Sequence, residues 1–460
     1  MGTEVGQAPA WRRAARLFTA PARPEDSAPL RWDLGFYLAC LAFALPTALA
    51  SEFYGYRIWG DFATVAYAFG AAHSGYLLLS ARSGRTPRGA FDSRWCGIAA
   101  VALLAMIIPL TLLVIRRLTG VDWLITPFSW AAQPEVWVIE RSADLLLHHG
   151  TPYVDVTALG RAPVVNDYTP YGPVMAVFGL PRALLGGTPL TDALTDARWM
   201  FALAACACVL GTLKLLKWPR VPVGAAQLAL ACPLTALTWA VAGPDLAIVG
   251  LLVLSCALAA TGRVAWSGLV LALVLSAKLI VAPAAAVLAV LVLVRRGSLR
   301  FGSVQFKSGL DWAALARFAA ALVATTAALH LPVYLVDPAA FTEHVFRFPL
   351  GMGVVRSPAA SPLPGHLIAE TGAFGRVAAF ALVGAAAVAM LVWLVRRPPA
   401  NGCGALLRIA VGLGALILLT PATRYGYLVY PLILLGAHLA FRVAEAPTAP
   451  PAQQSATTSS

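Results

Sequence analysis

Residues 245–295, DLAIVGLLVLSCALAATGRVAWSGLVLALVLSAKLIVAPAAAVLAVLVLVR, decide the fold because they form an almost unbroken apolar run. A helix needs about 20 apolar residues to cross ~30 Å of hydrocarbon, so this stretch is long enough for more than one span. We predict spans near residues 245–261, 265–280 and 283–295. The last two are short, and one long helix broken near Pro283 is an alternative.

The rest of the chain has the same character. It has 460 residues, of which 59% are hydrophobic and 12% charged, and its mean hydropathy is +0.75. This composition excludes an ordinary soluble globular protein. The sequence predicts an all-α, polytopic integral membrane protein with about 12 transmembrane helices. The other predicted spans lie near residues 34–51, 60–80, 97–115, 199–216, 224–241, 313–334, 373–395, 404–420 and 425–443.

The arginine- and lysine-rich segments set the predicted orientation, because basic residues remain on the cytoplasmic side of short loops. They predict a multi-pass protein of the cell membrane with both termini in the cytoplasm. The formal net charge of +13 then reflects topology and contact with anionic lipids, and it requires no nucleic-acid partner.

The predicted spans divide the chain into four parts. Residues 1–33 are expected to be a basic cytoplasmic tail, and residues 34–95 an additional pair of N-terminal transmembrane helices. Residues 96–444 form the main transmembrane module. Residues 445–460 have low complexity and are expected to be disordered.

Two predicted loops, 116–198 and 335–372, are too long to be simple connections and lie on the outer face in this topology. Long loops in compact proteins are usually functional or disordered, and we expect the first to be ordered. Apolar residues at helical spacing predict a helix over Ile139–His149, ended by Gly150. Residues 172–187 are apolar but short, and we predict a helix at the membrane surface.

Five segments together resemble glycosyltransferase family 87, a family of GT-C type membrane enzymes. Two of them lie in the first outer loop: an acidic residue leads through a helix to a Gly-x-x-Tyr element, and a Tyr/Pro cluster follows. The segments are PEVWVIERSADLLLHHGTPY (134–153), NDYTPYGP (166–173), GPDLAIVGLLVLSCALAATGR (243–263), SGLVLALVLSAKLIVAP (267–283) and TPATRYGYLVYP (420–431). The chain carries Glu135 where the family usually has aspartate, and its Tyr-Pro-Pro element is rearranged.

The resemblance implies transfer of a hexose, commonly mannose, from a polyprenyl-phosphate donor to a hydroxyl of a glycolipid or cell-envelope glycan on the outer face. It also implies a GT-C-like fold and a single displacement with inversion, which needs one base. No cofactor is expected, and a metal is not obligatory because the leaving group is already a phosphomonoester. Membrane lipids are the other expected partners. A multi-spanning transporter and a lipid or glycolipid flippase are the alternative functions.

Three carboxylates of the first loop are candidates for the catalytic base, because a hydroxyl that attacks an anomeric carbon must lose its proton to a nearby group. They are Glu135, Glu140 and Asp144. Glu135 could instead only favour the dipole at its helix start. Glu140 and Asp144, four residues apart, are also typical of a solvated helix face.

The remaining candidates are expected to bind substrate. Lys278 is costly inside an apolar run unless it faces a partner or a cavity, and Arg424 suits phosphate because its guanidinium binds two oxygens. Snorkelling to the surface is the other explanation for Lys278. Asp245 could pair with Lys278 or position the sugar. The further candidates are Asp167, Tyr168, Tyr171, Arg347, Arg356 and Tyr427. Turn formation for Asp167, interface anchoring for the tyrosines and simple solvation for the loop arginines remain open.

Overall fold

The computed structural model describes residues 27–85, 89–119, 131–294, 310–355 and 358–446. Within these ranges the chain is helical and has no β-strand, apart from an isolated bridge between Ala360 and Thr423. Most of the predicted N-terminal tail, and almost all of the predicted C-terminal tail, lie outside the described residues.

The described residues form nineteen α-helices. They are α1 Ser27–Ala50, α2 Tyr54–Arg82, α3 Trp95–Val101, α4 Ile108–Thr119, α5 Pro134–His149, α6 Leu180–Leu185, α7 Pro189–Leu194, α8 Ala197–Leu215, α9 Val223–Ala226, α10 Pro233–Val241, α11 Pro244–Ala260, α12 Val264–Ala277, α13 Pro283–Leu293, α14 Trp312–Val336, α15 Pro338–Thr342, α16 Pro364–Glu370, α17 Ala373–Arg396, α18 Gly402–Leu419 and α19 Val429–Ala444.

Shorter helical segments join these helices. Three are π-helical, Ala102–Ile107, Gln227–Ala231 and Glu343–Arg347. The 3-10 segments are Ala90–Asp92, Val165–Asp167, Pro173–Gly179, Leu279–Val281 and Tyr425–Leu428. The segment predicted to lie at the membrane surface is therefore a 3-10 turn followed by α6, and Pro181 lies in the first turn of that helix.

In the described ranges, eight helices are long and apolar enough to cross a membrane, or nine if the bent pair of residues 223–231 and 233–241 is one span. These helices identify a membrane protein. The predicted number of about 12 also included the three spans expected in residues 245–295. There α11, α12 and α13 have 17, 14 and 11 residues. At 1.5 Å per residue they are shorter than ~30 Å of hydrocarbon.

The predicted break near Pro283 lies five residues earlier, at Lys278. Helix α12 ends at Ala277, and Lys278 has extended backbone (φ −156°, ψ 120°) before the 3-10 turn Leu279–Val281. Pro283 instead occupies the first turn of α13. Proline is tolerated there because the first N–H groups of a helix have no intrahelical partner.

Helix α11 lies in the centre of the bundle and packs against α8, α12, α13, α18 and α19. A side chain at Gly250 would come within 3.2 Å of Cys208 Cβ, so α8 and α11 approach closely there. Helices α14 and α17 leave most of their apolar surface exposed. Such faces are typical of helices that contact lipid.

The N-terminal helices α1 and α2 pack against each other and join the main bundle through a buried polar contact. Asp33 accepts hydrogen bonds from Arg94 Nη2 at 2.8 Å and from Gln227 Nε2 at 2.8 Å. Gln227 belongs to the π-helical segment before α10. The pair is thus attached to the bundle by a charged group as well as by apolar packing.

Labelling of introduced cysteines tests the predicted topology. Ala158 and Ala400 are both exposed, and the distribution of basic residues places Ala158 outside the cell and Ala400 in the cytoplasm. A membrane-impermeant maleimide should label Ala158→Cys in intact cells, and Ala400→Cys only after permeabilisation. The parental chain, treated in the same way, measures how much label the native cysteines take up. The reverse pattern would invert the topology.

Candidate functional site

Two ion pairs meet where the long loops approach the helical bundle. Arg424 Nη1 donates to Glu135 Oε1 at 2.8 Å, and Lys278 Nζ donates to Asp245 Oδ1 at 2.7 Å. Tyr430 also donates its hydroxyl hydrogen to Asp245 Oδ1, at 2.7 Å. We call the site the ion-pair cluster, and its members are Glu135, Asp245, Lys278, Arg424, Tyr56, Tyr171, Tyr427 and Tyr430.

The two pairs belong to a single electrostatic site. The charge of Glu135 acts on Lys278 as well as on Arg424, and both Glu135 and Asp245 act on Tyr171. The side chains of Arg424 and Glu135 are 38% and 22% exposed, compared with 12% and 14% for Lys278 and Asp245. The Arg424 pair is therefore the more accessible of the two, and the Lys278 pair is the more buried.

Glu135 is held at the start of α5. Pro134 occupies the first turn, and the backbone N–H of Gln133 donates to the carbonyl of Val241 at 2.9 Å. This contact joins the start of α5 to the end of α10. Oε2 of Glu135 is buried and has no hydrogen-bond partner among the described residues. Glu135 thus lies in the first turn of α5, where its charge suits the helix dipole. Its one side-chain hydrogen bond in the described ranges is with Arg424, so Oε2 stays available.

Arg424 is held between two loop segments. Ser361 N–H donates to the Thr423 carbonyl at 3.0 Å, and Tyr425 N–H donates to Ser361 Oγ at 3.0 Å. His366 Nδ1 lies 2.8 Å from the carbonyl oxygen of Pro421. The second predicted loop thus fixes the backbone on both sides of Arg424.

Lys278 is held at the break between α12 and α13, where the Tyr/Pro cluster of the first loop contacts the helix end. Gly172 N–H donates to the Ala277 carbonyl at 3.4 Å. A Cβ atom at Gly172 would lie 1.9 Å from the Ser276 carbonyl oxygen, so only glycine fits there. This close approach brings Tyr171 beside Lys278.

Tyrosine rings surround the Lys278 ammonium group. Nζ lies 4.1 Å from the ring centroid of Tyr427, 5.7 Å from that of Tyr171 and 5.9 Å from that of Tyr430. These distances are within the range of cation–π attraction. Lys278 therefore does not snorkel to the surface, and its charge is balanced by Asp245 and the rings.

Glu140 does not belong to the ion-pair cluster, and the expectation of a solvated helix face is wrong for it. Its carboxylate accepts two hydrogen bonds from Arg117, at 3.0 and 2.7 Å, and one from Ala197 N–H at 3.1 Å. Arg117 also donates to Asp196 at 2.8 Å. Asp144 is 61% exposed and lies beside His148, as a solvated face predicts.

Asp167 lies in a turn, which is one of the two roles that the sequence left open for it. It accepts from Arg161 Nη1 and Nη2, both at 2.7 Å, and from Val164 N–H at 2.8 Å. The hydrogen bonds from Arg161 hold the pKa of Asp167 below its ordinary value. Both oxygens of its carboxylate are thus engaged within the loop.

Tyr168 joins the two long loops. Its hydroxyl donates to Glu343 Oε1 at 2.9 Å, and its ring stacks on Phe348 at 4.1 Å between centroids. Arg347 is 55% exposed and pairs with Glu343 at 3.3 Å. Neither Tyr168 nor Arg347 reaches the ion-pair cluster. Arg356 lies outside the described residues.

His344 is buried at the same junction. Thr169 N–H donates to His344 Nδ1 at 2.9 Å, so Nδ1 carries no proton. Nε2 must then carry the proton, which it donates to the Val154 carbonyl at 2.8 Å. Burial lowers the pKa of His344 to about 4.

Several residues at the ion-pair cluster were not predicted from the sequence. Tyr430 follows Tyr427 at helical spacing, which is a signal that it faces the same side. Tyr56 and Gln133 carried no comparable signal, because Tyr56 belongs to the N-terminal helix pair and its partner is distant in sequence. Within the described ranges, no group of three or more His, Cys, Asp or Glu side chains is placed to hold a metal ion.

Comparison with known proteins gives no relative. No family model, no curated protein and no solved structure matches this chain.

The His344 junction predicts a stability that depends on pH. The pKa of His344 is about 4 in the folded protein and 6.5 ordinarily, so the unfolded chain binds more protons between these values. The contribution of neutral His344 to the free energy of unfolding is complete above pH 6.5 and is lost as the pH falls towards 4. The melting temperature of the purified protein should fall over this window, and less so in His344→Gln. Equal pH dependence of the two proteins would contradict the role of His344.

Proposed function

We propose that this chain is a membrane glycosyltransferase of the GT-C type. It transfers a hexose, with mannose as the first choice, from a polyprenyl-phosphate donor to a hydroxyl of a glycolipid or cell-envelope glycan on the outer face of the cell membrane. One observation carries the proposal. Each of the five segments that resemble family 87 supplies a side chain to the ion-pair cluster, although they are spread over residues 134–431.

The cluster has the groups that this reaction needs. Glu135 takes the proton of the acceptor hydroxyl as its oxygen attacks the anomeric carbon. The bond between that carbon and the phosphate oxygen breaks, and its electron pair remains on the phosphate. Arg424 and Lys278 then stabilise the growing negative charge. A base and two cations at one site suit a single displacement with inversion.

Donor binding also prepares the base. In the free protein Arg424 is paired with Glu135 at 2.8 Å, so the carboxylate is neutralised. A phosphate group that binds Arg424 through two oxygens competes with this pair. Glu135 then loses its partner and becomes a better proton acceptor when the donor is in place.

A transporter or flippase is the second candidate, because its helices are expected to be interrupted near charged groups. The chain breaks at Lys278 and bends by 40° at Cys232. Purified protein in liposomes separates the two functions. A transferase moves radiolabel from a polyprenyl-phosphate hexose to an acceptor, whereas a transporter or flippase changes only the side of the membrane on which the label lies.

Glu135→Gln tests the base. The amide keeps the shape of the side chain but cannot take a proton, so the transfer rate should fall by about 10²- to 10⁴-fold. Asp144→Asn, an exposed change on the same helix, should keep the parental rate. Parental transfer by a normally folded Glu135→Gln protein would remove Glu135 from the chemistry.

Arg424→Ala and Lys278→Ala test phosphate binding. Each variant removes a cation from the cluster, so the KM for the polyprenyl-phosphate donor should rise by about tenfold or more, the loss expected for one charged hydrogen bond. Donor-dependent rates of purified, correctly folded variants provide the measurement. Unchanged donor KM values in both would contradict the role of the cluster.

The double variant Asp245→Asn/Lys278→Met separates binding from structure. Lys278→Ala leaves the Asp245 carboxylate buried without its cation, which is destabilising in itself. The double variant has no such charge. If it regains parental donor use, Lys278 serves only to neutralise Asp245. If donor use stays impaired in a stable protein, Lys278 acts on the donor.

A further inference from the structure

The N-terminal helix pair contributes a side chain to the ion-pair cluster. Tyr56 lies in the first turn of α2, and its hydroxyl oxygen accepts a hydrogen bond from the side-chain amide of Gln133. The charges of Glu135 and Arg424 both act on this hydroxyl. The pair is therefore part of the site and not a peripheral addition to the bundle.

Two complementary groups remain unused at this position. Glu135 Oε2 is a buried acceptor without a donor, within the part of the chain that the structure describes. The Tyr56 oxygen accepts from Gln133, and in the same ranges its own hydrogen has no acceptor. A buried acceptor without a partner is costly. The open Glu135 oxygen, on a residue whose charge acts on the Tyr56 hydroxyl, therefore points to a ligand that hydrogen-bonds both groups.

We propose that Tyr56 and Glu135 hold the acceptor hydroxyl between them, which rests on the proposed transferase function. An alcohol has one hydrogen and two lone pairs. Its hydrogen is donated to Glu135 Oε2, and one lone pair accepts the hydrogen of Tyr56. The second lone pair attacks the anomeric carbon, the proton moves to Glu135, and the bond to the donor phosphate breaks.

This arrangement defines the class of acceptor. A neutral alcohol supplies both a hydrogen for the carboxylate and a lone pair for the phenol. An ammonium group has no lone pair and cannot accept from Tyr56. The site thus selects hydroxyl acceptors over charged amines, and Tyr56 determines part of this specificity.

Kinetics of Tyr56→Phe test the contact. With a polyprenyl-phosphate mannose donor and octyl mannoside as the acceptor probe, the KM for octyl mannoside should rise by about tenfold, the loss expected for one hydrogen bond. The KM for the donor should not change. Tyr54→Phe is the matched control, because it removes the same hydroxyl two residues earlier in α2. Equal acceptor KM values in the two variants would overturn the proposal.

A second measurement needs no transfer activity. Without substrate, a water molecule can bridge Tyr56 and Glu135, so loss of the phenol should make the Glu135 carboxylate easier to protonate. A hydrophobic carbodiimide modifies protonated carboxyls, and mass spectrometry measures the modification of Glu135. The midpoint of its pH dependence should move to higher pH in Tyr56→Phe and not in Tyr54→Phe.

The two measurements separate the two hypotheses. An unchanged midpoint in Tyr56→Phe overturns the Tyr56 inference, whether or not transfer is detected. A shifted midpoint in a protein that transfers no sugar supports the contact and overturns the transferase function. Parental transfer kinetics in Tyr56→Phe, with Glu135→Gln inactive, leave the transferase function standing and exclude the role of Tyr56.

Discussion

A charge inside an apolar helical bundle must have a partner, and this constraint determines how the chain is arranged around its site. The Glu135–Arg424 pair joins residues that are 289 positions apart, and Lys278–Asp245 joins two helices of the bundle. Removing one member of a buried pair such as Lys278–Asp245 costs about 3–5 kcal/mol, because the other charge remains unpaired; the partly exposed Glu135–Arg424 pair is screened by solvent and contributes less. The pairs therefore fix the first loop, the helix break and the segment before α19 in one arrangement.

Two of the three carboxylates of helix α5 satisfy this constraint differently. Both oxygens of Glu140 are engaged, by Arg117 and by the N-terminus of α8, so Glu140 anchors the loop helix to the bundle. Glu135 uses one oxygen for Arg424 and keeps the other free of partners in the described part of the chain. A saturated carboxylate is structural, whereas a half-satisfied one can exchange its partner for a substrate. This difference separates two of the candidates for the catalytic base.

The sequence was sufficient where local chemistry decides the structure. Gly150 ends α5 in the left-handed conformation (φ 71°), as its position after the helical pattern predicts. The burial of Glu140 was not predictable, because its partner Ala197 lies 57 residues away. The contact between Tyr56 and Gln133 was not predictable for the same reason, because the two residues are 77 positions apart. Side chains that meet through long-range packing leave no periodic signal in a single sequence.

The helix break and the Tyr/Pro loop form one structural unit. The last carbonyls of a helix lack intrahelical partners, and at the end of α12 the Ala277 carbonyl receives the N–H of Gly172. Val174 N–H lies 3.4 Å from Ser276 Oγ at the same helix end. The loop thus satisfies the polar groups that the break exposes. Lys278 and Tyr171 directly flank the hydrogen bond between Gly172 and Ala277. The contact that stabilises the broken helix therefore also places a cation and an aromatic ring side by side.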